Sequence, residues 1–441
     1  MAMETGEDSS KYPYVSALCM NGGDGDKSYS ANSLIMRRVL SITKPVLVKN
    51  TKEMFANLDF LESVKVADFG CSSGQNTFLV MSEIVDTINL LCQERNQKQP
   101  EIECCLNDLP SNNFNAVFKF IALFKKKVTS EGSCFISGVP GFSLAILSIW
   151  YIQFTLYSIH FLSKVPDRLE KNNMNVYITA SSPLSNYNAY LNQFQRDFST
   201  FLKVRSEEMV SNGRVILTIM GRNTIDDPLY RDCCHCWTLL SNSLRDLVLE
   251  GLLSASKVNS FKIPFYDPTK EEVKEIIREE GSFQINDLET HGFDLGHSYE
   301  DCVSQSGREG QKEAGCIRAV TESMLVAHFG DSINIDTLFS RHQKGLKMYV
   351  HICYLSLLHK GMHGRTTILS KTMKLHVIIF LSDKEPLKKR LNGIWSCAGI
   401  EVDGNLQPLI CLDYMFAFVT ILADKNKGSR AFTAMVCTNL Q

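Results

Sequence analysis

The sequence predicts an α/β fold built on a parallel, doubly wound sheet, and three patterns carry that expectation. An apolar run, a small polar turn and helical periodicity follow one another across residues 64–90. Further apolar runs, each closed by Gly, Pro, Ser or Asn, recur about 30 to 40 residues apart. Helical patterns fill the intervals, the alternation that parallel strands with crossover helices require.

In chain order the first unit is "VKVADFGCSSGQNTFLVMSEIVDTINL". Val64, Val66 and the residues to Phe69 form a strand, and Gly70 to Gly74 make a turn. Phe78, Leu79, Ile84, Val85 and Ile88 then recur at near-helical spacing. "EIECCLNDLP" is a second strand ending at Asn107-Asp108 before a proline; "SCFISGVPG", "NVYITASSP" and "RVILTIMGRN" are three more. Two helices are clear. Tyr187, Tyr190, Leu191, Phe194, Phe198, Phe201 and Leu202 form one apolar stripe. Thr269 and Glu272 match a capping box, with Val273, Ile276 and Ile277 facing inward and Gly281 stopping the helix. Such stripes are more often core than ligand sites, so both helices are read as structural.

Residues 141–163, "GFSLAILSIWYIQFTLYSIHFLS", carry no charge. About 20 apolar residues suffice to cross a bilayer. Gln153, His160, four β-branched Ile and the Pro140-Gly141 turn signal argue against a span. The N-terminus lacks a basic region followed by an apolar run, so a soluble, cytoplasmic protein is expected. Fifteen cysteines fit reduced, buried thiols in that compartment. Cys233, Cys234, His235 and Cys236 are too crowded on one segment to close a zinc tetrahedron. His359 and His363 are separated by Gly361, which argues against a firm helical metal pair. A net charge of −2 and a pI near 6.6 supply no whole-molecule attraction for nucleic acid.

The turn Asp68-x-Gly70-x-x-x-Gly74 lets backbone N–H groups approach a ligand and leads it to a helix N-terminus. It lacks the G-x-G-x-x-G of dinucleotide sites, and Asp108 lies about twice as far on as the roughly 20 residues expected for NAD. An NAD-linked oxidoreductase is therefore disfavoured. An acid in the turn and another at the next strand end suit S-adenosylmethionine: one for its amino-acid end, one for its ribose hydroxyls.

Several runs occur in an order that resembles the plant SABATH carboxyl methyltransferases, with the salicylate/benzoate methyltransferases most similar. They are "MNGGDGDKSYSANS" at 20–33, "VADFGCSSGQN" at 66–76, "LNDLPSNNFNAVFK" at 106–119, "GVPG" at 138–141, "YSIHFLSKVP" at 157–166 and "NQFQRDFSTFLKVRSEE" at 192–208. The resemblance implies a class I, Rossmann-like S-adenosylmethionine methyltransferase core with an α-helical cap, as a homodimer. It implies that Tyr29 and Ser33 hold the cofactor's carboxylate end, with Asp68, Gly70, Cys71 and Asn76 around the methionine. Asp108 would take the ribose, with Leu109 and Phe142 against adenine. Met36, Tyr157, His160, Phe161 and Trp237 would line the pocket of a small aromatic carboxylic acid, and the uncharged stretch would connect sheet and cap there. Such an acid is ionised near neutral pH, so no catalytic base is expected.

The sequence departs from the family at four places. Met36 stands where Gln often donates to the substrate carboxylate, a loss of roughly 1 to 3 kcal/mol if uncompensated. Phe161 replaces the usual Trp. The loop after Gly141 is about three residues short, and Asn259 and Lys262 replace the Asp and Asn of a weak Mg²⁺ site, so no metal is expected. These changes raise a second reading, a relative that binds cofactor or acid without efficient turnover. Finally, residues 337–382 contain no Asp or Glu but seven Lys/Arg and five of the ten His. The expected organisation is a disordered 1–17, a cofactor-binding core with N-terminal cap segment over 18–222, and helical cap and remaining core elements over 223–340. An insertion at 341–412 outside the core and strands returning to it over 413–441 complete the chain.

Overall fold

The structure is a computed structural model and describes residues 18–23, 25–56, 62–127, 134–145, 152–159, 161–222, 235–294, 311–342, 349–360, 377–378, 417–421 and 432–436. The chain divides into two compact units, residues 1–361 and 362–441. The first contains helices α1 (Tyr29–Asn32) and α2 (Leu34–Ala56), then strand β1 (Ser63–Phe69), α3 (Asn76–Glu94) and β2 (Glu101–Asp108). The short α4 (Phe114–Phe118) and α5 (Ile121–Lys127) precede β3 (Cys134–Pro140) and β4 (Ile152–Ile159). The long α6 (Leu184–Glu208) leads directly into β5 (Met209–Gly221). A helical run follows: α7 (His235–Leu249), α8 (Ala255–Ser260) and α9 (Lys270–Glu280). The unit ends with β6 (Phe283–Asp294), α10 (Gln311–Phe329), α11 (Ile335–His342) and β7 (Tyr349–His359).

The seven strands of this unit form one sheet in the order β3-β2-β1-β4-β5-β7-β6. β1 to β5 run parallel, whereas β7 is antiparallel to both of its neighbours. Val64, Val66, Ala67 and Phe69 of β1 are buried, as expected for a central strand covered on both faces. α3 buries Phe78, Met81, Ile84, Val85 and Ile88 on one side. The stripe of α6 buries Tyr190, Phe194, Phe198, Phe201 and Leu202 on the other. The Thr269–Glu272 capping box forms with both of its bonds, and Gly281 ends α9 in a left-handed conformation (φ 84°). Among the described residues no helix is long and apolar enough to cross a membrane.

Three expectations change. "NVYITASSP" is not a strand. Its apolar residues Val176, Tyr177 and Ile178 are buried, but their backbone is satisfied outside any ladder. Val176 N–H donates to Ser241 Oγ at 3.0 Å, Ile263 N–H donates to the Val176 carbonyl at 2.8 Å, and Asn172 donates to the Tyr177 carbonyl at 2.8 Å. The fourth strand comes instead from the uncharged stretch. β4 sits between β1 and β5 and pairs with both, the place of an inner strand, where an uncharged apolar run is expected. Residues 152–159 of that stretch are therefore an inner strand of the sheet, not a simple connection from sheet to cap.

The third change concerns the expected insertion at 341–412. Residues 349–359 are β7, paired with β5 along one edge and β6 along the other, with Leu355, Ser356 and Leu357 fully buried. In the strand order they are what joins β6 to β5. Of the segment expected to return to the core, the described residues form strands that pair with one another: β9 (Ala417–Ile421) pairs with β10 (Phe432–Val436) and with β8 (Val377–Ile378). Those three strands form a small sheet of the second unit. The expected disorder at 1–17 lies outside the described residues.

Candidate active site

In a doubly wound sheet, ligands bind beyond the C-terminal ends of the strands where the strand order reverses. Here the order reverses at β1, whose neighbours are β2 and β4. Asp68 and Asp108 lie at the C-terminal ends of β1 and β2, and Phe142 follows the end of β3. Tyr157 lies in the C-terminal half of β4, opposite Phe69. Strand register alone thus gathers four of the expected residues at one edge.

The turn after β1 is shaped by its own backbone. Gly70 has φ 83°, a region that side chains with a Cβ avoid, and Gly70 and Cys71 N–H groups both donate to the Asn107 carbonyl at 2.9 Å. At Gly74 a Cβ would stand 3.1 to 3.3 Å from Ser30, so the glycine lets α1 close over the turn. Asn107, which the sequence left unassigned, braces the next loop: its amide donates to the carbonyls of Val139 (2.7 Å) and Gly141 (3.0 Å).

The two carboxylates differ in their settings. Asp108 accepts from the backbone N–H groups of Ser72 (2.6 Å) and Leu109 (2.7 Å). Asp68 accepts from Thr77 Oγ1 at 2.6 Å. Burial pushes the Asp68 carboxyl up to about 6; the Thr77 bond opposes this, and the negative charge of Asp108 adds to it. Burial likewise raises Asp108, opposed by its two backbone bonds. The Cys71 thiol is pushed well up by burial and by both carboxylates. The Tyr29 phenol is raised by burial first, then by Cys316, Asp108 and Asp68. Tyr29, Cys71, Asp68 and Asp108 therefore share one electrostatic neighbourhood.

Ser33 is buried between α1 and α2, and Asn76 opens α3. Asn76 Oδ1 and Ser72 Oγ are buried and have no hydrogen-bond partner among the described residues. Buried polar atoms are normally satisfied, so these two await a ligand's polar groups. A buried amide oxygen suits an ammonium, and a strand-end acid suits a diol. The residues present fit the amino-acid and ribose groups of S-adenosylmethionine. Phe142 is 62% exposed, an aromatic face held in the open just beyond β3, while Leu109 remains half-buried.

On the acceptor side, Met36 and Phe161 pack at the margin of the main apolar core, and Trp237 of α7 is buried within it. Phe265, which sequence patterning did not single out, joins them. Its ring meets Phe161 edge-on at 6.4 Å, Trp237 at 5.7 Å and Tyr177 at 5.5 Å. A backbone bridge pairs Phe161 with Phe265, and Leu162 N–H donates to the Pro264 carbonyl. His160 lies outside the described residues, as do Cys233 and Cys234. Lys262 is buried and donates to the carbonyls of Asn259 (2.7 Å) and Phe261 (3.2 Å); burial lowers its ammonium to about 8.

A sheet of this order, with a glycine turn and two strand-end carboxylates at its switch point, defines a Rossmann-like methyltransferase. Comparison with known proteins agrees. The family described as "SAM dependent carboxyl methyltransferase" matches residues 15–358. A salicylate/benzoate carboxyl methyltransferase of Arabidopsis thaliana is 59% identical over 337 residues, covering 75% of this chain and 88% of the relative. A benzoic acid/salicylic acid carboxyl methyltransferase of Petunia hybrida is 39% identical over 339 residues, covering 75% of this chain and 92% of the relative. Among solved structures, loganic acid methyltransferase with SAH superposes with a TM-score of 0.66 at 30% identity, covering 78% of this chain and 99% of that one. The chain belongs to the S-adenosylmethionine-dependent carboxyl methyltransferase family, and the match runs to within one residue of the end of β7.

Proposed function

We propose that this enzyme esterifies a small aromatic carboxylic acid such as salicylate or benzoate. The observation that carries this reading is the pairing of the two-carboxylate turn with the aromatic cluster of Phe161, Phe265 and Trp237. The 59% identical salicylate/benzoate methyltransferase supports it. The cofactor, when bound, supplies a methyl group activated on a sulfonium. Tyr29 and Ser33 hold its carboxylate end; Asp68, Cys71 and Asn76 surround its amino-acid chain at the Gly70 turn. Asp108 receives the ribose hydroxyls, and Leu109 and Phe142 flank adenine.

An arenecarboxylate is already ionised at neutral pH, so the chain need not remove a proton. Its task is alignment in a water-poor cavity. Met36, Tyr157, His160, Phe161 and Trp237 form the proposed acceptor wall. The reading requires no magnesium: the Lys262 ammonium donates to the Asn259 and Phe261 carbonyls and keeps positive charge at that position. It further takes the enzyme to be a homodimer, by likeness to the family, and cytoplasmic, by its many cysteines read as reduced thiols. The reading of a relative that binds without turnover gains no support from the site, whose turn and strand-end acids are all in place.

The test is incubation with trideuteromethyl-labelled S-adenosylmethionine and a pool of salicylic, benzoic, anthranilic and jasmonic acids, followed by mass spectrometry. A labelled aromatic ester is expected; labelled methyl jasmonate alone would overturn the substrate assignment. In the same assay Met36→Gln is expected to raise kcat/KM for salicylate about tenfold, the value of one added hydrogen bond to a charged group.

A pH dependence follows from Asp68. Only its ionised form attracts an ammonium, so protonation as pH falls through about 6 removes that attraction. Affinity for S-adenosylhomocysteine is expected to fall roughly tenfold between pH 7 and pH 5, with Asp68 losing a proton on binding at the lower value. Calorimetry in buffers of different ionisation enthalpy checks this. An unchanged affinity would show that Asp68 does not face the ammonium.

A further inference from the structure

Arg205, near the end of α6, is fully buried, and its guanidinium joins segments that lie far apart in the sequence. Nε pairs with the equally buried Glu208 carboxylate at 2.8 Å. One terminal nitrogen donates to the Ser143 carbonyl at 2.7 Å and the other to the Ala145 carbonyl at 2.9 Å. The face of the group lies 4.1 Å from the centre of the Phe69 ring and 5.3 Å from that of Phe201. Phe69 is the residue between Asp68 and Gly70, and Ser143 and Ala145 follow Phe142.

The loop held in this way is already a tight turn, with Ala145 N–H donating to the Phe142 carbonyl at 2.9 Å. Its start is fixed from the other side, where Gly141 N–H donates to the Asp108 carbonyl at 2.9 Å and Asn107 donates to the Gly141 carbonyl at 3.0 Å. Phe142 projects between these two anchorages. Only arginine can stack its plane on an aromatic ring while its edge donates in a fixed fork to two carbonyls. A buried ion pair alone is weak evidence of a stabilising role, because desolvation offsets the attraction.

We propose that Arg205 is a positioning residue for the cofactor: it sets the distance between the Phe142 loop and the Gly70 turn. This rests on the functional reading above, in which those two segments hold opposite ends of the cofactor. The guanidinium is taken up by Glu208, the Ser143 and Ala145 carbonyls and the Phe69 ring, so its loss should weaken cofactor binding and leave the acceptor side alone.

The test uses the full chain with Arg205→Lys and with the double substitution Arg205→Met, Glu208→Met, which removes both buried charges together and leaves neither orphaned. Calorimetry with S-adenosylhomocysteine is expected to give a Kd raised at least tenfold in the double variant and by less in Arg205→Lys. KM for S-adenosylmethionine should rise in parallel, while kcat at saturating cofactor stays within about threefold and KM for the acid is unchanged. Phe142→Ala should weaken binding in the wild-type background and add little in the double variant, since an unclamped loop has already lost the benefit of the ring. If the double variant does not fold, Arg205→Lys, which keeps the charge opposite Glu208, carries the test. A folded variant that binds S-adenosylhomocysteine as tightly as the wild type overturns the clamp and leaves the functional reading intact. A wild-type chain that binds none overturns that reading and the clamp with it.

Discussion

Asp108→Ala is expected to lower affinity for S-adenosylhomocysteine by a factor of about 100 to 1000, with little change in the melting temperature of the free protein. The carboxylate has two duties. Within the protein it accepts from Ser72 N–H and Leu109 N–H, and so ties the turn after β1 to the end of β2. In the proposed complex it also accepts from the ribose. Each charge-assisted bond of this kind is worth roughly 1.5 to 3 kcal/mol, and losing several at once reaches the stated range. The Ser72 and Leu109 N–H groups can turn to water in the free protein, which limits the cost to folding. Asp108→Asn keeps an acceptor but loses the charge, so it should fall between the wild type and Asp108→Ala. Calorimetric titration of the three proteins checks the order. Wild-type affinity in Asp108→Ala would remove Asp108 from the cofactor site and send the ribose elsewhere.

Ending the chain after residue 361 is expected to leave a folded protein that binds S-adenosylhomocysteine like the full chain, whereas ending it after residue 342 abolishes folding. The second cut removes β7. That strand supplies both ladder edges between β5 and β6, and with it go the fully buried Leu355 and Leu357. Two such side chains contribute about 1.5 to 3 kcal/mol each. The unpaired backbone of two neighbouring strands adds to that loss, which together approaches the whole stability of a typical domain, about 5 to 15 kcal/mol. The first cut leaves all seven strands in place. Circular dichroism and a melting curve on the two truncated chains decide the matter. A cooperatively folded protein ending at 342 would mean that β7 is dispensable; an unfolded one ending at 361 would mean that the second unit stabilises the first.

The cofactor end of the molecule was legible in the sequence because its pattern is local. The acid, the glycines and the following helix lie within residues 68–88, and the strand, turn and helix expected there all form, with Gly70 left-handed in the turn. Asp108 was found by the same logic one strand later. The long apolar stripe of α6 and the capping box of α9 were equally local, and both elements form as expected. The resemblance to carboxyl methyltransferases was carried by those same short runs.

What the sequence could not assign were the elements whose identity depends on neighbours. "NVYITASSP" has the composition of a strand, yet Ser241, Asn172 and Ile263 satisfy its backbone away from the sheet. Residues 349–359 lie in an acid-free segment that resembles an insertion, yet two distant strands flank them and make them part of the core. Phe265 and Arg205 show no local pattern that separates them from ordinary core or surface residues. Their roles arise because Phe161 and Trp237 converge on the one, and Phe69, Ser143 and Ala145 on the other. Periodicity and turn chemistry act over a few residues and are written in the chain directly. Which edge a strand fills, and which carbonyls a buried guanidinium meets, are settled only when segments far apart in sequence are brought within hydrogen-bonding distance.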